Sequence, residues 1–266
     1  MSRFLIAPAL PMVLLLFASL NGGWWAAAAL LGMTAFVSGM DRLVLTAPEA
    51  EPGPGVSTAH RLSVALGLAH LGVLPLGVWA LSQDTFSLPA SLALAGALAL
   101  FMGQVANSNA HELIHRGGRW PRRLGAAVYA SMLFGHHASA HRLVHHVHVA
   151  TPGDPNSAPL SMGFWAYLPR AWVGSFVEGW RAETRLRAGG RGGLHPYILY
   201  AAGSVAALAL AHVLGGAKGV AIWVALSLYA QAQLLLSDYV QHYGLSRVRT
   251  GQGVWEPAGP RHSWNA

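Results

Sequence analysis

The sequence contains no cysteine, which excludes disulfides, thiolate-held metals and a cysteine nucleophile, so any metal must be held by nitrogen or oxygen. Charge is also scarce. Only 10% of the 266 residues are charged, whereas a soluble domain carries about a quarter, which excludes an ordinary water-facing surface. What the chain has instead is 53% hydrophobic residues, gathered in runs near the roughly 20 residues that span a bilayer. A net charge of +7 would suit nucleic acid, but the arginines cluster beside the apolar runs. They read as the loop charge that orients a membrane protein, and no nucleic-acid partner is expected.

The runs cover about Phe4 to Leu20, Trp24 to Met40, Leu62 to Leu81, Leu88 into "HELIH", Pro196 to Leu214 and Val220 to Leu236. The first lacks a cleavage site and turns back into lipid after "NGG", so it reads as half of a helical hairpin and not as a signal peptide. "APEAEPGPGV", Ala47 to Val56, reads as a loop, and a tight "GGAKG" separates the last two runs. The spacing predicts an all-α integral membrane bundle of about six transmembrane helices in a single domain, 1–266. Leu124 to Ser139 is apolar but short, and is expected at the interface or beneath the helices.

Arg3, Arg42, Arg61, Arg116 to Arg123, Arg181 to Arg191, Arg247 and Arg249 fall at alternate ends of these spans, while "NGG", "SQDTFS" and "GGAK" carry one lysine between them. The positive-inside rule then makes both termini and the histidine-rich middle cytoplasmic. Arg116, Arg119, Arg122 and Arg123 set this topology, with a secondary role in docking an acidic electron carrier. Trp24 and Trp25 read as interface anchors. His70 and His212, inside spans, are expected to be neutral, hydrogen-bonded packing residues.

Histidine is what the chain has in abundance, with 14. "NSNAHELIHR" places His111 and His115 one helical turn apart, with Glu112 between them. "GHHASAHRLVHHVHVATPGDP" follows with His141 and His145 again one turn apart, His146 on the adjoining face, and His136, His137 and His148 on the flanks. "LLLSDYVQHYG" adds Asp238 and His242 at the end of the last run. A single His-Glu-x-x-His site would suit a zinc peptidase with the glutamate as base. Six well-spaced histidines, His111, His115, His141, His145, His146 and His242, are too many for one tetrahedral ion, so two ions are expected. All-nitrogen donors suit iron, copper or zinc. Glu112 and Asp238 either orient ligand imidazoles through their second ring nitrogen or cap helix ends.

"NSNAHELIHR", "HRLVHHVHVATPGDPNSA", "SDYVQHYGL" and "EPAGPRHSWNA" together resemble the membrane-bound alkane 1-monooxygenases, within the integral-membrane di-iron hydroxylase and fatty acid desaturase superfamily. The resemblance implies a six-helix bundle in a bacterial inner membrane, with a cytoplasmic di-iron centre ligated by the six histidines named above. It further implies O2-dependent hydroxylation of an alkane's terminal methyl with electrons from rubredoxin and its reductase. The chain departs from that pattern at Ala140 and Gln241, where many relatives carry acidic residues. The family's last His-x-x-His-His box lies beyond the segment matched by "HSWNA", so the resemblance implies a sequence cut short of three ligands. The rival readings are a desaturase or lipid hydroxylase acting mid-chain, an inactive fragment, and an intramembrane zinc peptidase.

Overall fold

A computed structural model describes residues 2–36, 56–190, 192–251 and 253–264. The predicted loop at Ala47 to Val56, the end of the second run, Arg42 and Arg191 lie outside or at the limit of these residues. Among the described residues the chain is helical, with one isolated bridge between Arg249 and Trp255. The helices are α1 (Ser2–Asn21), α2 (Gly23–Leu31), α3 (Val56–Ser82), α4 (Leu88–Leu100), α5 (Asn107–His115), α6 (Arg119–Ser131), α7 (His137–Ala140), α8 (His146–His148), α9 (Phe164–Ala188) and α10 (Pro196–His242). Wider π turns extend α2 over Gly32–Phe36, join α4 to α5 over Phe101–Ala106, and join α7 to α8 over His141–His145.

Among the described residues three helical stretches, Ser57–Ser82, Leu88–His115 and Pro196–His242, are long and apolar enough to cross a membrane. The third is two helices in series. At Gly215 and Gly216 its backbone leaves the helical region, and Gly216 has φ +58°, a conformation that side chains disfavour. This is where the sequence places its "GGAKG" turn. Gln83 Nε2 donates to the Leu214 carbonyl at 3.3 Å, and Lys218 pairs with Asp84. Phe86 packs over Gly22, so close that a Cβ there would collide with its ring. The three short loops predicted on one side of the membrane therefore lie together at one end of the bundle. Trp24 stands almost fully exposed beside them.

The opposite end is organised by α6. Its charged N-terminus is exposed, while Val128 to Ser131 are buried against α3, α5 and α10. A helix end leaves carbonyls without partners, and in lipid each would cost several kcal/mol. Here α10 supplies the donors: Ser204 Oγ to the Ala130 carbonyl (3.0 Å), Trp223 Nε1 to Ser131 (2.7 Å) and Gln231 Nε2 to Met132 (2.8 Å). The helix closes with Phe134 N on the Tyr129 carbonyl and Leu133 N on that of Ala130. Leu133, at φ +58°, takes the left-handed position that glycine usually fills. The turn it makes delivers the chain into the histidine-rich segment. His70 is buried, with Nε2 3.0 Å from Ser131 Oγ, as expected for a packing residue. His212 is exposed, a departure from the same expectation, because the first half of α10 has few neighbours within the chain.

Candidate metal centre

His111 and His115 project from one face of α5, their ring centroids 4.6 Å apart. Asn107 Nδ2 donates to the Ala230 carbonyl (2.9 Å) and Asn109 Nδ2 to that of Ser63 (3.0 Å), which fixes α5 between α3 and α10. Across from them lies the π turn His141–His145. In a regular α-helix, residues five apart are rotated by about 140°. The wider turn lowers the rotation per residue and brings His146 back over His141. His141 and His145, one turn apart in the sequence, keep their rings stacked at 5.1 Å, while His146 closes on His141 at 4.5 Å. His141 and His146 join His111 and His115, and His145 lies between His141 and His242.

The four imidazoles of His111, His115, His141 and His146 bring their ligating nitrogens within 4.8 Å of one another. His111 Nε2 and His141 Nε2 are 2.7 Å apart, and His146 Nε2 and His115 Nε2 are 3.2 Å apart. Burial first, and then the neighbouring rings His137 and His145, hold His141 well below the ordinary histidine range. His146 is pushed down to about 4 by desolvation and by His145 and His115. Both are neutral at pH 7 and present lone pairs. Each close nitrogen pair can share at most one proton, and His141 Nδ1 is buried with no partner. A cation among these nitrogens satisfies the converging lone pairs together, so the donor set fits a nitrogen-ligated metal ion.

His145 and His242 form a second, adjoining group, with ring centroids 4.9 Å apart. His242 Nδ1 lies 2.8 Å from the His262 carbonyl oxygen. A carbonyl only accepts, so Nδ1 carries the proton and Nε2 is left with its lone pair. His145 Nδ1 is 2.8 Å from Asp154 Oδ2. Burial opposes charge on both members of this pair, but their mutual bond prevails: His145 is raised to about 9 and Asp154 lowered. Asp154 also accepts from Ser157 Oγ at 2.7 Å and from the Asn156 amide at 3.1 Å. The C-terminal segment closes this group. Arg247 donates from its backbone to the Ala150 carbonyl (2.8 Å) and from Nη2 to that of Val147 (2.7 Å).

Glu112 pairs with Arg116 at 2.9 Å and is half exposed, and Asp238 accepts from Asn156 Nδ2 at 2.7 Å. Neither carboxylate bonds directly to an imidazole. By hydrogen bonds Asp238 is linked to the second group through Asn156 and Asp154. Two anchors escaped the sequence reading: the Asp154 carboxylate and the backbone carbonyl of His262. The turn-forming composition of "TPGDPNS" signals a chain reversal that could return an aspartate to His145, whereas nothing in a sequence marks a carbonyl. His136 is buried near Ser175 (3.4 Å), and His137 packs on Phe134 and Tyr129. Ala140 is explained by packing, because a Cβ on Gly179 of α9 would already crowd it at 3.0 Å.

The fatty acid desaturase model matches residues 87–266, which hold every one of these histidines. The chain belongs to the fatty acid desaturase family. It is 31% identical over 210 residues to alkane 1-monooxygenase 2 of Pseudomonas aeruginosa, covering 77% of this chain and 56% of that relative. It is 30% identical to alkane 1-monooxygenase of Ectopseudomonas oleovorans, over 74% of this chain and 50% of the relative. The hydroxylase component of xylene/toluene monooxygenase from Pseudomonas putida is 27% identical, over 73% of the chain and 53% of the relative. The chain thus spans about half the length of the curated relatives it matches. The match takes in the histidine cluster and the helices from α4 onward.

Proposed function

We propose that the protein hydroxylates the terminal methyl of an alkane, or a related methyl group, at a di-iron centre. His111, His115, His141 and His146 hold one iron, and His145 and His242 contribute to the second. The observation that carries this reading is the convergence of four imidazoles from two separate segments at the end of an apolar bundle. The alkane 1-monooxygenase relatives supply the reaction class.

Iron, when bound, supplies the activation of O2. In the balanced reaction one oxygen atom enters the alcohol and the other leaves as water, with two electrons and two protons consumed. Rubredoxin, reduced by its reductase, is the electron donor in this reading. A methyl C–H bond offers no acid, base or leaving group, so the protein's own task is placement. Leu94, Leu98, Phe101 and Met102 are packed in the apolar core along the helix that ends in His111 and His115, which keeps the bundle side of the centre dry. His145 and His242 keep Nε2 aimed by the Nδ1 contacts to Asp154 and His262. Asp238 serves at one remove, through Asn156. In this reading the centre and both termini are cytoplasmic in a bacterial inner membrane, a topology supported by the arginines at alternate ends of the apolar runs.

Elemental analysis of the purified protein, followed by O2- and rubredoxin-dependent turnover of octane and dodecane, tests this reading. Bound iron and primary alcohols are expected. Unsaturated or mid-chain products from an acyl substrate would instead favour desaturation, which the family match also supports. One zinc with no iron would favour a peptidase.

A further inference from the structure

A groove of about 660 Å³ opens on the flank of the bundle between α3, α6 and the first half of α10. Its apolar wall includes Leu71, Leu74, Leu199 and Leu210. Leu199 and Leu210 stand about 16 Å apart along α10 at roughly 1.5 Å per residue, close to the ~15 Å of hydrocarbon in one bilayer leaflet. Among the described residues this half of α10 has few neighbours, with Leu199 60% exposed and Val213 80%, an apolar face suited to lipid.

The other end of the groove is cationic. Arg122, Arg123 and Arg142 line it, and among the described residues none of the three forms an ion pair. Arg122 is tied through Nε to the Gly118 carbonyl at 2.9 Å. The carboxylate that lines the groove, Glu183, is already engaged by Arg187 (2.6 Å) and Ser139 (2.7 Å). Three uncompensated guanidiniums at the head of a leaflet-length apolar wall complement a ligand with an anionic head and an acyl tail.

We propose that this groove seats an anionic phospholipid of the surrounding bilayer, with its phosphate against Arg122, Arg123 and Arg142 and one acyl chain along the leucine wall. Arg142 directly follows His141, and Ala138 and Ser139 also line the groove. The bound lipid thus braces the segment that carries two of the clustered histidines.

The test titrates the detergent-purified full chain with phosphatidylglycerol, phosphatidylcholine, a long-chain fatty acid or inorganic phosphate, reading retained lipid by native mass spectrometry and protection against thermal unfolding. Phosphatidylglycerol is expected to be retained and protective above the other three. R123Q/R142Q should weaken it about 25-fold, at about fivefold for each arginine near an anionic headgroup. R123K/R142K, which keeps the charge, should retain most binding, and Ala206→Trp should weaken it from the groove wall with the arginines intact. Equal binding of phosphatidylcholine, equal protection by phosphate or fatty acid, or undiminished retention in R123Q/R142Q would each overturn the proposal. So would displacement of the lipid by dodecane, or a dimer that Ala206→Trp disperses.

Discussion

The two groups of imidazoles meet where the rings of His141 and His145 lie 5.1 Å apart, yet they are held by different means. His111, His115, His141 and His146 are placed by backbone: one turn of α5 faces one π turn, and among the described residues no carboxylate bonds to any of the four rings. His145 and His242 are placed by their own second nitrogens, on Asp154 and on the His262 carbonyl. Helix geometry suffices for the first group because its ligands are neighbours in two short segments. The second joins residues almost a hundred positions apart, and requires a loop and a C-terminal segment to aim it.

Replacing His141 should show how far the groups depend on each other, since its ring lies within about 5 Å of those of His111, His146 and His145. His141→Ala is expected to abolish iron in the first group and lower hydroxylation by more than ~100-fold, beyond what loss of an outer partner usually costs. Retention of full iron content would break the distinction between the groups. Asp154→Asn acts on the second group alone. It should weaken metal there by about 10- to 100-fold while the first group keeps its ion, so titration with Fe(II) should resolve one tight and one weakened site.

Acid should challenge the histidine end more than the loop end. Burial holds His136 at about 4, below the unfolded value near 6.5, so between these pH values the unfolded chain binds more protons than the folded one. Stability is then full above about pH 6.5 and declines as pH falls toward 4, by up to about 3 kcal/mol from this residue. Thermal unfolding at pH 7.5 and pH 5 measures the loss, and His136→Gln should flatten it. The smallest effect is expected at Glu112, whose exposed ion pair with Arg116 is worth under about 1 kcal/mol. Glu112→Gln should change turnover less than about threefold. Complete loss of activity would instead assign it the role of base that a zinc peptidase requires.

Much of the bundle was legible before any tertiary contact. Apolar runs gave α3, the α4–α5 helix and both halves of α10, and "GGAKG" gave the break at Gly215 and Gly216. The spacing of His111 and His115 gave a shared face that α5 keeps. How closely His146 approaches His141 was not legible, because helical periodicity assumes one fixed turn, whereas a π turn depends on how the segment packs against α9. Glu112 and Asp238 carried the right chemistry for orienting a ring, but their neighbours drew them elsewhere: Arg116 took one and Asn156 the other.

By itself, then, the sequence determined that this chain folds as apolar helices with histidines gathered at one end, because hydropathy and helical phase are local properties of consecutive residues. The tertiary structure alone decided which imidazoles share a site and which partners aim them. Nitrogen-to-nitrogen distances of about 3 Å are set by packing between segments far apart in the chain, where the register of one turn or the place of one carbonyl changes the answer.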